Sequence, residues 1–116
     1  MVLRIGAGQT AALLPGDMHA KTEKMLLERY RPEQLRAALL KVAHHGSATS
    51  TTPEFLAAVA PEWAVVSDGE GNSFGHPRAQ TLQTLAAAHV HLLRTDQLGP
   101  VTFELDGRTI KARLPR

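Results

Sequence analysis

The feature that most constrains this chain is the alternation of short apolar runs with helix-patterned segments. Leu39–Ala43, Trp63–Ser67 and Val90–Arg94 are each five residues long, the length of a buried strand rather than a helix. Between the first two, Thr52 offers an N-cap hydroxyl, Pro53 a first helical position and Glu54 an acid in the first turn. That helix carries Phe55, Leu56 and Val59 and stops at Pro61. Pro77 opens the next helix, which carries Leu82 and Leu85 and runs to about Ala88. Strands separated by helices pair in parallel through right-handed crossovers.

Both ends of the chain add antiparallel pieces. Val2–Gly6 and Ala11–Leu14 read as a hairpin around residues 6–9, and Val101–Leu105 and Thr109–Leu114 alternate around Asp106-Gly107. A helix is predicted from about His19 to Tyr30, with Met25 and Leu26 on its apolar face and Met18 at its margin; Pro32 closes it. A helical turn follows over Glu33–Ala38. The prediction is an α/β fold with a mixed sheet and terminal hairpins. At 116 residues the chain is one domain or part of one, and 43% apolar content suffices for a core built mainly of Leu, Ala and Val.

Several classes are excluded. With no cysteine, disulfides, thiolate metal sites and cysteine nucleophiles drop out. No apolar run approaches the roughly 20 residues of a membrane span, and Met1-Val2-Leu3-Arg4 does not open a signal peptide. A net charge of +2 does not announce a nucleic-acid binder, although Arg108, Lys111, Arg113 and Arg116 crowd the C-terminal end. Such a cluster serves solubility more often than binding.

The chemistry-bearing residues follow the strands. Ala11–Leu14 leads into Pro15-Gly16-Asp17-Met18-His19, Leu39–Ala43 into His44-His45-Gly46-Ser47, and Trp63–Ser67 into a polar loop ending Gly75-His76-Pro77. If the strands are parallel, these loops open on one edge, where α/β folds place their sites. Asp17 then either caps the following helix or ligates a divalent metal, bridging two with its two oxygens. Paired imidazoles at a strand end are poorly explained by packing. Successive side chains there point to opposite sides, so one is expected to be a ligand and the other to serve substrate or support the site. Ser47 and the hydroxyls that follow it, with the amides at the next helix start, would suit a phosphate group. His76 shares the rim. His89 and His91 read as surface or edge residues, and His19 as a cap or solvent-facing residue. The rival serine hydrolase lacks a Gly-x-Ser-x-Gly elbow, and no phosphate loop or dinucleotide fingerprint is present.

Leu14-Pro15-Gly16-Asp17, Leu40-Lys41-Val42-Ala43-His44-His45-Gly46-Ser47, Asn72-Ser73-Phe74-Gly75-His76-Pro77 and Arg94-Thr95-Asp96 with Gly99 together resemble the second half of a metallo-β-lactamase-fold domain. The set is most similar to the C-terminal hydrolase domain of the ComEC family of bacterial competence proteins, which import DNA. The resemblance runs from Val2 to Gly107 and implies that residues 1–116 are a single, partial domain, about half of a four-layer αββα sandwich. It implies a two-metal site, zinc or manganese, in which Asp17 bridges the metals, His45 is a further ligand and His44 is catalytic or contacts substrate. His76 matches the Gly-His-Pro element near the mouth of the site, and with Ser47, read from its hydroxyl and the following helix start, it is assigned to substrate binding. The implied reaction is phosphodiester hydrolysis of single-stranded DNA, in a soluble domain of a bacterial membrane protein.

The family's main metal motif, His-x-His/Asp-x-Asp-His, belongs to the first half of such a domain, and no stretch of this chain resembles it. Two ligands fall short of the three a catalytic metal normally takes from protein. The 116 residues are therefore expected to be inert alone, to hold metal weakly, and to self-associate through the face left uncovered. The competing reading is a non-catalytic module for nucleic-acid binding or membrane assembly.

Overall fold

In a computed structural model, the protein is described over residues 2–7, 10–16, 18–42, 51–66, 79–95 and 101–113. The elements are β1 (Leu3–Ala7), β2 (Thr10–Leu14), α1 (Ala20–Arg29), α2 (Pro32–Leu35), β3 (Leu39–Lys41), α3 (Pro53–Val59), β4 (Trp63–Val66), α4 (Ala79–Ala87), β5 (His91–Arg94), β6 (Thr102–Leu105) and β7 (Ile110–Arg113). Strands β1 to β5 form one sheet in sequence order, and β6–β7 form a separate two-stranded sheet. The fold is α/β with a mixed sheet. β1 is antiparallel to β2, while β2, β3, β4 and β5 run parallel.

Register assigns side chains to the two faces. Leu13 of β2 aligns with Leu40 of β3, Leu40 with Ala64 of β4, and Ala64 with Leu92 of β5. Leu13, Leu40, Val42, Ala64 and Val66 are buried in one cluster with Met18, Phe55, Leu56, Val59 and Leu85. The helices thus cover this face, as crossovers of one hand require in a sequentially ordered parallel sheet. The opposite face presents Leu3, Ile5, Leu39, Trp63, Val65 and Leu93. The terminal hairpin lies against part of it. Phe103 meets Trp63 edge to face at 5.9 Å, and the Gly107 amide donates to the Thr10 hydroxyl at 3.2 Å.

Helix α3 begins as its residues dictate. The Thr52 hydroxyl accepts from the Phe55 amide at 3.3 Å, Pro53 takes the first helical position, and Ala60 ends the helix in the left-handed region at φ 47°. Its Phe55, Leu56 and Val59 are all buried. The described part of α4 begins at Ala79, and the Pro77 start predicted for it lies outside the described residues. Three expectations are corrected. The turn after Pro32 ends at Leu35 rather than Ala38. Met18 precedes α1 instead of joining it and is buried in the core. Met25 faces solvent at 56% exposure, because the inward stripe of α1 is Glu23, Leu26 and Leu27. Residues three and four apart share a helix face, and position 25 falls outside that set.

Candidate functional site

The parallel registers bring Leu14, Lys41, Val66 and Arg94 to the same edge of the sheet. The segments that follow β2, β3 and β4 therefore leave from one rim, as the strand–helix alternation predicts. The residues singled out on those segments, Asp17, His44, His45, Ser47 and His76, lie outside the described residues. Their flanks are described.

The neighbours of Asp17 in the sequence are a turn residue and a buried anchor. Gly16 adopts φ 63°, a left-handed conformation that suits glycine. The Met18 amide donates to the Pro15 carbonyl at 3.3 Å, and the Met18 side chain enters the core at 5% exposure. His19 is the exposed N-cap residue of α1, and its carbonyl accepts from the Thr22 and Glu23 amides at 3.0 and 3.1 Å. It thus occupies a cap position.

The segment bearing His44, His45 and Ser47 is fastened at both ends. At the strand end, the Val42 amide donates to the Val65 carbonyl at 2.9 Å. At the helix end, the Glu23 carboxylate receives the Thr51 amide on Oε2. Its Oε1 receives the Thr52 amide at 2.8 Å and the Thr52 hydroxyl at 2.9 Å. Glu23 has no exposed surface. Thr51 sits at φ 61°, a conformation a β-branched residue adopts only when its surroundings enforce it. This changes the picture of the helix start: the Thr51 and Thr52 amides serve the protein's own carboxylate rather than standing open to a phosphate. Sequence reasoning passed over Glu23. Its trace is an acid placed at stripe spacing with Leu26 and Leu27.

At the third segment, the Thr95 hydroxyl donates to the Val66 carbonyl at 3.3 Å, closing the strand end from which residues 67–78 depart. Threonine 95 also belongs to the Arg94-Thr95-Asp96 element of the sequence. His89 and His91 are exposed and distant from this rim in the order of the fold. His89 adopts φ 57° where α4 ends, and the His91 ring lies over Trp63 at 5.0 Å on the edge strand β5. On the outward side of the terminal hairpin, Glu104 pairs with Arg113 at 2.9 Å. A carboxylate amid the basic residues dilutes the positive stripe that nucleic-acid binding would need. Among the described residues no group of three or more His, Cys, Asp or Glu could hold a metal, and no helix is long and apolar enough to cross a membrane.

No protein family's sequence profile matches the chain, and no solved structure matches it. Curated proteins do. The chain is 40% identical over 112 residues to Competence protein ComA of Neisseria gonorrhoeae, covering 97% of this chain and 16% of that protein. It is 33% identical over 108 residues to ComE operon protein 3 of Bacillus subtilis, covering 93% of this chain and 14% of that protein. With Recombination protein 2 of Haemophilus influenzae it shares 32% identity over 84 residues, covering 72% of this chain and 10% of that protein. The chain is thus a relative of bacterial proteins named for competence and recombination, and it corresponds to a short segment of each.

Proposed function

We propose that this chain forms the C-terminal part of a metal-dependent phosphodiesterase domain in a ComEC-like DNA-uptake protein, with the metallo-β-lactamase fold. The observation that carries the reading is the common edge of the parallel strands, from which the segments bearing Asp17, His44-His45 and His76 all depart. The similarity to a competence protein along 97% of the chain supports the biological setting. DNA, as a single strand, is the substrate in this reading, and the remainder of a membrane protein is the partner.

A carboxylate at Asp17 and an imidazole at His45 match the donor preferences of zinc and of manganese. When bound, the metal supplies Lewis acidity for attack on a phosphodiester. The other roles belong to the chain. His44 moves a proton at the reacting centre, and Ser47 and His76 hold the phosphate-bearing strand. On either side of Asp17 in the sequence, Gly16 is left-handed and Met18 is buried in the core.

The test is Asp17→Ala in the full-length protein, read by metal content and by the rate of single-stranded DNA cleavage. The expected outcome is loss of bound metal and loss of cleavage together. Normal values of both would refute the assignment.

A further inference from the structure

The one fully buried carboxylate among the described residues is Glu23, and nothing in the proposed chemistry uses it. Burying a carboxylate is strongly unfavourable unless hydrogen bonds replace its water. Here three donors do so, and all are neutral: the amides of Thr51 and Thr52 and the Thr52 hydroxyl. If the position served packing alone, a leucine in line with Leu26 and Leu27 would fill it without that cost. What the carboxylate adds is a directional link between two parts of the chain.

Those two parts are the ones that carry the candidate site. Glu23 sits near the start of α1, the helix that follows Asp17, and Thr51 and Thr52 end the segment that carries His44 and His45. That segment's other end is tied to β4 through the Val42 amide. Only the Glu23 link ties it to the element following Asp17, among the bonds described at its helix end. Thr51 at φ 61° is the conformational cost of this arrangement, since a β-branched residue is strained there. We infer that Glu23 is a positioning residue of the hydrolase centre, setting the His44–His45 segment against Asp17. The inference rests on the functional reading above.

The substitution that isolates this role is Glu23→Gln, which keeps the shape but offers one acceptor oxygen to donors that now use two. In the full-length protein, zinc affinity measured by calorimetry should fall about 10- to 100-fold, the range for residues that orient metal ligands. At saturating zinc, kcat should fall while KM for a single-stranded oligonucleotide holds. Thr51→Gly provides the control, because glycine adopts φ 61° without strain. Added to Glu23→Gln, it should raise the melting temperature while leaving zinc affinity and kcat low. Should Glu23→Gln fail to fold alone, the double variant compared with Thr51→Gly gives the same reading.

Zinc affinity and kcat that recover along with stability would overturn the inference, making Glu23 a brace for α3 and no more. Unchanged affinity and kcat in Glu23→Gln would overturn it too, with the functional reading left standing. A wild-type protein that neither binds zinc nor cleaves DNA would instead remove the functional reading itself, and this inference with it.

Discussion

Adjacent imidazoles share a chemistry but not a direction, since consecutive side chains at a strand end diverge. His44 and His45 are therefore expected to separate experimentally. In the full-length protein His45→Ala should lower metal content, whereas His44→Ala should keep the metal and lower turnover by about 10²- to 10⁴-fold, the usual contribution of a proton-transferring side chain. Metal analysis beside single-turnover cleavage checks this, and equal metal loss in both variants would refute the division. At this scale the sequence showed which residue types gather after each strand. It did not show Glu23, because an acid early in a helix reads as a complement to the helix dipole. Its true partners, Thr51 and Thr52, are 28 and 29 residues away and meet it only once α1 and α3 pack.

Elements were legible wherever local chemistry decides them. Thr52-Pro53 at the start of α3 and Asp106-Gly107 in the terminal hairpin needed no tertiary information, and both are found where expected. Met25 was misjudged because short-range spacing alone does not say which of two stripes on α1 turns inward. The hairpin turn also makes a pH prediction. The Asp106 carboxylate accepts from the Thr109 amide at 2.7 Å, the Arg108 amide at 2.8 Å and the Thr109 hydroxyl at 2.9 Å. These bonds, the Thr109 amide foremost, lower its pKa from 3.8 to about 2. Because the folded value lies below the ordinary one, the support that ionised Asp106 gives the turn is complete above about pH 4 and fades as pH falls through about 2. Amide exchange at Arg108 and Thr109, followed by NMR, should accelerate across that window in the wild type. Asp106→Asn should flatten the dependence, and an unchanged profile in that variant would refute the mechanism.

The whole molecule has one well-covered face and one half-covered face. The resemblance to half of a sandwich implied an orphan face where the other half would meet it, but did not reveal that β6–β7 would pack against the sheet through Phe103 and Trp63. Among the described residues of that face, the β1 end stays open, with Leu3 and Ile5 45% and 52% exposed. Such surface favours association. The 116-residue chain is expected to self-associate in sedimentation runs, to take up zinc or manganese weakly, and to show no nuclease activity. Leu3→Lys with Ile5→Lys should shift it toward monomer. A monomeric wild type with tight stoichiometric metal and robust cleavage would refute all three expectations. The sequential order of the five-stranded sheet has a kinetic consequence as well. Each strand pairs with its immediate predecessor, so no strand of this sheet has to wait for a partner that lies further along the chain, although the long parallel crossovers make each pairing slow. Such a sheet can be laid down progressively while a ribosome is still at work, each new strand finding its template already in place.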